Sequence, residues 1–527
     1  MRRGVTVPVL MVALALAGWA HAGGDPLLKQ RQGRLSYELS LKALAEEGDV
    51  RAASRGRAAG PVTAVIELER GADVGAVRAS VAAAGGRVLV AVDHLMKVQL
   101  PAAGLRLVSE APGVARMRSP FKPVAKEVVS EGVQTTHARE YGARTGADGT
   151  GVTVAVLDQG FAKATDLLGS ELPDGTSGTD FVLQHLDSYR SVHGTACAEI
   201  VHDMAPGAKI LLAGFNDDTD WASAVDELMR SGVRIVSHSI GFDNLYPADG
   251  NNYFAQKVDA AAANGMLFVS AAGNEGKNYY QATWRDTNGN GFLELGGAEL
   301  LPIGATSDGG RVVLRWDDTF DRSNHDYDLL IVTAAFAQNS TVSADNPAIV
   351  AIAADTQNGS GTPREIAEFE ANGQALYVVV RHDSSSPLSP NQRFWMWSLG
   401  GVDPGLGTSA GSLSLPGDAR GALTVGAVQY GSGSAESFSS RGPTHDGRTK
   451  PDIAAPDGVT TAAFGGPFFG TSAATPHVAG AAALLLSHNP SLSASALRDA
   501  LLKATPGGGG NRNNDVGAGV IDFNMVR

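Results

Sequence analysis

The chain has 527 residues, of which 43% are hydrophobic and 18% are charged, and its formal net charge is −13 at pH 7. This length exceeds one ordinary domain, so we expect three or four folded units. The acidic balance argues against nucleic acid or an anionic membrane surface as a partner. Cys197 is the only cysteine, so no internal disulfide can form.

The first residues have the pattern of an export signal. A basic start, MRR, precedes an apolar stretch from Val5 to Ala17, and AHA (20–22) supplies small residues around a bulkier one. We therefore predict a signal peptide over 1–22 and a secreted protein, extracellular or periplasmic. The apolar stretch is too short to cross a bilayer with margin, so we expect no stable membrane insertion.

Two regions follow the signal. Residues 23–60 predict a polar helix, from Leu27 to Glu47, and then a linker rich in Arg, Ala and Gly. Residues 61–123 have the order βαββαβ, which is typical of a small ferredoxin-like α+β unit. Its place after an export signal favours a pro-segment, and an accessory domain is the alternative.

Residues 124–276 and 406–527 alternate strand and helix patterns. Apolar, β-branched runs such as Val152–Leu157 and Leu267–Ala271 are typical of strands that are covered on both faces. Helical patterns separate them. The alternation predicts an α/β domain with a doubly wound, mostly parallel sheet.

Residues 277–405 interrupt that alternation. Their apolar runs are short and bounded by Asn, Gly, Ser and Pro, which predicts an inserted all-β sandwich. Most of the tryptophans lie here. Aromatic core packing is the commoner use of such residues, and a carbohydrate platform is the alternative.

Four polar residues in the α/β region offer the groups that amide hydrolysis requires. Asp158 ends a strand, where α/β sheets bind ligands, although Asp is also common in turns there. His193 precedes small residues at a predicted helix start. Asn274 follows a buried strand, where its amide can donate to an oxyanion, or can simply form a Gly-Asn turn.

Ser472 is the fourth residue. It lies in the segment GTSAATPHVAG (470–480), which opens a long run rich in Ala and Leu that predicts a buried helix. A serine at a helix N-terminus has unpaired backbone N–H groups and the positive dipole end beside it. A nucleophile, a base, a group that orients the base and an oxyanion donor are therefore all available.

Together these four residues resemble the subtilase (subtilisin-like serine protease) family. The order Asp, His, Ser is that of subtilisin. The likeness covers about 135–276 and 406–525, and the joint match is highly specific. The segments that carry it are VAVLDQG (154–160), HGT (193–195), FSSRGP (438–443), KPDIAAP (450–456) and 470–483.

The resemblance implies the roles and the substrate. Ser472 would be the nucleophile, His193 the general base and Asp158 its orienting partner, with Asn274 in the oxyanion hole. No cofactor would be needed for catalysis, substrates would be proteins or peptides, and the pro-segment would act as an intramolecular inhibitor. Two walls would bind the substrate in extended form, Ser239, Ile240 and Gly241 on one side and Ala271, Ala272 and Gly273 on the other.

Small residues on both walls predict an open pocket for a sizeable apolar side chain.

The chain also departs from the usual pattern. The stretch between Asn274 and Ser472 is longer than in compact members, Cys197 stands where many members carry a second His, and the serine motif has Ala473 and Thr475 where Met and Ser are common. One helical turn after the base, Cys197 is expected to pack behind it, with a reactive thiol as the alternative.

A calcium loop is a further hypothesis. In DTNGNGFLE, Asp286, Asn288, Asn290 and Glu294 place oxygen ligands at alternate positions, as at the start of an EF-hand loop. Gly297 stands where the acidic twelfth residue is required, so a plain Asn-Gly turn competes with this interpretation. Structural calcium would suit an exported protein without disulfides.

The preferred interpretation is an exported serine endopeptidase that cuts its own chain between Pro120 and Thr136. An exopeptidase or a dedicated maturation protease of the same chemistry is one alternative. An inactive, protease-like binding scaffold is another, which the four intact residues argue against. The sequence does not define the oligomeric state.

Overall fold

A computed structural model describes residues 33–46, 60–121, 132–178, 191–303, 309–343, 345–399 and 407–526. The predicted signal peptide and most of the predicted linker lie outside these ranges, as does most of the predicted self-cleavage region. Within the described ranges, no helix combines the length and the apolar character that a membrane crossing requires.

The N-terminal unit is a four-stranded antiparallel sheet with the strand order β2-β3-β1-β4. Helix α1 packs on it through Leu39 and Ala43, and α2 packs through Val77 and Val81. The side chain of Asp73 starts α2 by accepting hydrogen bonds from two backbone N–H groups. The elements are α1 (Tyr37–Glu46), β1 (Val62–Leu68), α2 (Val74–Ala83), β2 (Arg87–Val92), β3 (Leu95–Leu100), α3 (Leu105–Ser109) and β4 (Val114–Arg118).

The βαββαβ order that the sequence predicts is present in this unit. Its second helix is shorter than the periodicity suggests, because a 3₁₀ turn, Ala102–Gly104, precedes α3. The predicted polar helix also begins later, at Tyr37, within the described residues. The name ferredoxin-like therefore fits the element order and the strand order.

The central sheet contains seven parallel strands in the order β19-β18-β9-β8-β5-β7-β6. Every residue of β8 and β9 is buried, as expected for strands that helices cover on both faces. The strands are β5 (Thr153–Asp158), β6 (Ser177–Gly178), β7 (Lys209–Gly214), β8 (Ile235–His238), β9 (Leu267–Ala271), β18 (Ala422–Gln429) and β19 (Ile453–Asp457).

Helices cover both faces of this sheet. One apolar cluster holds residues of α5 and α8, and a second cluster, on the other face, holds residues of α6 and α7. The predicted doubly wound fold is therefore confirmed. The helices are α4 (Ala138–Thr145), α5 (His193–Met204), α6 (Asp218–Arg230), α7 (Tyr253–Ala263), α8 (Thr471–His488) and α9 (Ala494–Lys503).

Two antiparallel four-stranded sheets occupy the stretch between β9 and β18. Their orders are β10-β17-β12-β15 and β11-β16-β13-β14, and one apolar cluster with Trp316 and Tyr327 contains residues of both. The strands are β10 (Tyr279–Thr283), β11 (Leu301–Ile303), β12 (Gly310–Trp316), β13 (Tyr327–Thr333), β14 (Ile349–Ala353), β15 (Arg364–Phe369), β16 (Leu376–His382) and β17 (Arg393–Ser398). A separate hairpin, β20 (Val459–Thr461) and β21 (Gly466–Phe468), follows later.

The aromatic side chains of these sheets serve as core. Trp316 and Trp397 are fully buried, and Trp284, Tyr327 and Phe394 contact one another edge to face or tilted. This arrangement favours packing over a carbohydrate platform. The domain boundaries drawn at 277 and 405 remain predictions.

The N-terminal unit contacts the α/β domain through buried charges. Arg118 pairs with Asp218, the first residue of α6, at 2.6 Å, and with Glu67 at 2.5 Å. Lys97 pairs with Asp217 at 2.7 Å and with Asp220 at 3.0 Å. Two basic side chains therefore meet three carboxylates at the start of one helix.

Replacing Arg118 by Ala is expected to destabilise the full chain by about 3 kcal/mol, because Asp218 would stay buried without its cation. The measurement is urea-induced unfolding of both proteins. The control is Arg393→Ala, which breaks the exposed pair with Asp317 and should cost less than about 1 kcal/mol. Equal losses for the two variants would contradict a buried, structural role for Arg118.

Candidate active site

The centre of the site is a buried pair of side chains at the carboxyl edge of the sheet. Asp158 is the last residue of β5, and His193 is the first residue of α5. Nδ1 of His193 lies 2.9 and 2.8 Å from the two carboxylate oxygens of Asp158, and both side chains are fully buried. Gln159 donates its backbone N–H to the same carboxylate at 2.8 Å. The carboxylate therefore fixes the tautomer and the orientation of the imidazole.

The pair can form because α5 approaches the loop after β5 very closely. The Gly194 N–H donates to the Gly160 carbonyl at 2.8 Å. A Cβ at Gly194 would lie 2.5 Å from the Phe161 ring and 2.7 Å from Cβ of Asp158. A side chain at this position would therefore push His193 away from its carboxylate. Phe468 contacts the edge of the imidazole, with the ring centroids 5.2 Å apart.

Ser472 is the second residue of α8. Gly470, just before the helix, has φ +119°, a conformation that favours glycine. The Ser472 hydroxyl donates to the Ser239 carbonyl at 3.0 Å. Ser239 lies directly after β8, so Ser472 stands at the same edge of the sheet as Asp158.

A proline inside α8 explains the contacts around Ser472. Pro476 has no N–H, so the carbonyl of Ser472 lacks the usual hydrogen bond from four residues on. The Ser239 hydroxyl donates to this carbonyl at 3.0 Å, and the Cys197 thiol donates to it at 3.6 Å. Side chains from two neighbouring elements thus hold the backbone of the serine.

Cys197 connects the two halves of the site. Its sulfur, an Asp158 oxygen and a His193 ring nitrogen lie within 4.8 Å of one another, and the sulfur also contacts Ser472. The cysteine therefore packs behind the base, as the sequence predicts. Burial, followed by the Asp158 charge, raises the pKa of the thiol well above its ordinary value, so the thiol stays protonated.

Among the described residues, the same three side chains form the only close group of three potential metal ligands. The imidazole nitrogen and the carboxylate already bond to each other. The predicted calcium loop uses its carboxylates internally. Asp286 accepts backbone N–H groups of Gly289 and Gly291, and Glu294 accepts that of Thr287. Calcium therefore stays a prediction.

Asn274 lies across from the serine. Its side-chain oxygen accepts hydrogen bonds from the N–H and the hydroxyl of Thr471, both at 3.0 Å. These bonds turn its NH₂ group away from Thr471, and that buried nitrogen has no hydrogen-bond partner within the described part of the chain. A buried, unused donor beside a serine is suited to stabilise a developing negative charge.

The two predicted wall segments stand at the carboxyl ends of neighbouring strands of the central sheet. Ser239 to Gly241 follow β8, Ala271 ends β9, and Ala272 and Gly273 follow it. All six residues are buried. The gap between the walls is not empty, because the side chain of Ser414 stands near both glycines. This filling differs from the open pocket that the small residues predict.

The sequence assigns no role to three further contributors to the site. Thr471 orients the amide of Asn274. Glu275 accepts the backbone N–H of Asn274 at 3.1 Å and also a hydrogen bond from the indole of Trp397 in β17, so one of the two antiparallel sheets contacts the site. Asp457 accepts the N–H of Gly470 at 2.8 Å. In the sequence, Pro476 indicates that the Ser472 carbonyl lacks its intrahelical hydrogen bond. The other contacts arise from tertiary packing and have no local sequence pattern.

A model of the subtilase family matches residues 149–375 and 331–519, which is more than half of the chain. The protein therefore belongs to the subtilase family of serine peptidases. Subtilases need no cofactor for catalysis. The family assignment agrees with the fold and with the motif order in the sequence.

Individual relatives match over shorter ranges. The serine protease AprX of Bacillus subtilis (strain 168) is 33% identical over 189 residues, 30% of this chain and 42% of the relative. The thermophilic serine proteinase of Bacillus sp. (strain AK1) is 30% identical over 199 residues, 34% of this chain and 48% of the relative. The chain thus spans about half the length of these curated relatives.

A solved structure supports the fold. The CspB protease of Clostridium perfringens superposes with a TM-score of 0.52 at 16% sequence identity. The match covers 75% of this chain and 98% of that protein. At this identity the likeness concerns the architecture.

Asp457 makes the loop before Ser472 sensitive to pH. Burial, and then the neighbouring Glu436 carboxyl, raise the pKa of Asp457 to about 7, against about 4 for an unfolded Asp. Folding therefore favours its protonated form, and this contribution to stability is lost as the pH rises through 7. Between pH 5 and 8 the wild type should lose on the order of 2 kcal/mol more stability than Asp457→Asn. Parallel losses in urea unfolding at the two pH values would contradict this assignment.

Cys197 should be unreactive in the folded protein. Because the thiol is buried and protonated, Ellman's reagent at pH 7.5 is expected to titrate less than about a tenth of it in native protein. One thiol per chain should appear after unfolding in guanidinium chloride. Rapid, complete titration of the native protein would show that the sulfur is accessible.

Proposed function

We propose that this protein is an exported serine endopeptidase that hydrolyses peptide bonds through an acyl-enzyme intermediate and is made as a self-processed precursor. The observation that carries the proposal is the buried Asp158–His193 hydrogen bond, which Cys197 connects to Ser472 at the start of α8. An imidazole whose Nδ1 is held by a carboxylate in this way can act as a general base through its other ring nitrogen.

In the proposed mechanism, the Ser472 hydroxyl leaves the Ser239 carbonyl and transfers its proton to Nε2 of His193 as the oxygen attacks the substrate carbonyl. Asp158 accepts from Nδ1–H and stabilises the imidazolium that forms. The amide nitrogen of Asn274 and the backbone N–H of Ser472 stabilise the oxyanion. His193 then protonates the leaving amine, and a water molecule, activated by the same imidazole, hydrolyses the acyl-enzyme.

The substrate would lie extended between the two walls. Backbone groups of Ser239 to Gly241 and of Ala271 to Gly273 flank the position next to the serine, which is the arrangement for adding a peptide as a further strand. Bonding to the peptide backbone suits a protein or peptide substrate of varied sequence. An exopeptidase would instead need a group that binds a chain terminus, and an endopeptidase needs none.

The N-terminal unit supports the precursor part of the proposal. It holds the start of α6 through buried ion pairs, and Arg116 reaches the antiparallel sheets by pairing with Asp355 and donating to Thr362 at 2.8 Å. A unit held at two sites is suited to remain bound as an intramolecular inhibitor after its connection is cut. The predicted signal peptide supports export.

Replacing Ser472 by Ala tests the proposal. The wild type, expressed alone, is expected to shorten by a cut between Pro120 and Thr136, which N-terminal sequencing of the product locates. Ser472→Ala should remain at precursor length, because no hydroxyl can attack the bond. The matched control is Ser495→Ala, an exposed serine on α9, which should process normally.

Two results would contradict the proposal. If Ser472→Ala appears at mature length when no other protease is present, the cut does not depend on the Ser472 hydroxyl and the proposed self-processing is wrong. If the wild type neither processes nor hydrolyses casein, the inactive scaffold becomes the better interpretation.

A further inference from the structure

The two wall glycines show what lies between the walls. A Cβ placed on Gly241 would lie 2.7 Å from Cβ of Ser414, and a Cβ placed on Gly273 would lie 2.1 Å from its hydroxyl oxygen. Both distances are below van der Waals contact. The side-chain directions of the two glycines, one from each wall, therefore converge on Ser414, and the direction from Gly273 also meets the Ser440 hydroxyl oxygen at 2.8 Å.

The segment that carries Ser414 is hydrogen-bonded to one wall and to the residue that follows the other wall. The Ser414 N–H donates to the Ala272 carbonyl at 2.9 Å, and the Phe242 N–H donates to the Leu415 carbonyl at 2.9 Å. Ser414 is about 1% exposed. The backbone of this segment therefore holds Ser414 across the gap, as a floor between the walls, and moving the segment would break these two hydrogen bonds.

The far side of the floor carries charge. The Ser414 hydroxyl donates to Oδ1 of Asp243 at 2.5 Å, and Asp243 is also buried. Burial lowers the pKa of Arg311, and the carboxylates of Glu368 and Asp243 oppose that lowering, so Arg311 lies within the electrostatic reach of Asp243. The Asp243 carboxylate thus already interacts with the Arg311 guanidinium and accepts a hydrogen bond from the Ser414 hydroxyl. These interactions argue against Asp243 as the partner of a basic substrate side chain.

We propose that Ser414 sets the specificity of the site by restricting the residue before the scissile bond to Gly, Ala or Ser. The inference rests on the proposed function, since it assigns the substrate class of the same site. A long apolar side chain entering between Gly241 and Gly273 would meet the hydroxymethyl group of Ser414, and a long basic one would meet it before reaching Asp243. The substrates are therefore peptides with a small residue at this position.

The test uses the full-length protein after self-processing and a peptide series that differs only at the residue before the scissile bond, with Ala, Ser, Leu, Phe and Lys. The wild type should cleave the Ala and Ser peptides with the highest kcat/KM. Ser414→Gly should raise kcat/KM for Phe relative to Ala at least about tenfold, because it removes the group that blocks the gap. Ser414→Ala, which keeps Cβ, should give a smaller increase and serves if the Gly variant does not fold.

The control is Ser412→Ala. Ser412 lies two residues before Ser414, and its hydroxyl donates to the Ser409 carbonyl rather than into the gap. Its substitution should therefore leave the order of kcat/KM among the peptides unchanged. Highest activity of the wild type on Phe or Leu would overturn the inference but leave the protease intact. A preference for Ala that neither Ser414 variant alters would also overturn it. Cleavage of none of the peptides by wild type would instead count against the proposed function.

Discussion

The buried hydrogen bond between Asp158 and His193 is the interaction on which the rest of the site depends. The bond joins the last residue of a strand to the first residue of a helix. The regular backbone of these two elements therefore fixes where both side chains begin. The price of burying a carboxylate is met by the imidazole and by a backbone N–H. Gly194 permits this contact because no side chain separates α5 from the loop after β5.

A second constraint is the orphan carbonyl of Ser472. Since Pro476 removes its intrahelical donor, Ser239 and Cys197 supply replacements, and these residues come from the wall segment and from the helix of His193. Ser472, the helix that carries His193 and one predicted wall are thereby connected through a single carbonyl group. In the same way, Thr471 orients the amide of Asn274, and Glu275 connects this residue to Trp397 in the antiparallel sheets. The antiparallel sheet that contains β17 is therefore in contact with the site.

The sequence predicts the sheet well because its signal is local. The run in β9, LFVSA, is buried at every position and apolar at all but Ser270, which is typical of a strand that is covered on both faces. Asp158, His193 and Ser472 are equally visible, since each lies in a motif at the end of an element. Ser414 and Asp457 are not visible. Ser414 contacts Gly273 and Asp457 contacts Gly470 only because distant loops pack together. No local sequence pattern around Ser414 or Asp457 predicts these contacts. The second helix of the N-terminal unit is predicted, but its shorter length is not, because the 3₁₀ turn before α3 and a first α-helical turn have similar periodicity.

The most direct test of the account is to incubate the processed wild type with a fluorophosphonate and to map the adduct by mass spectrometry. The account predicts one adduct per chain, on Ser472, and its loss in His193→Ala, since the hydroxyl is reactive only when the imidazole accepts its proton. An adduct on a different serine, or equal labelling of Ser472 with and without the imidazole, would show that these side chains do not act as one unit.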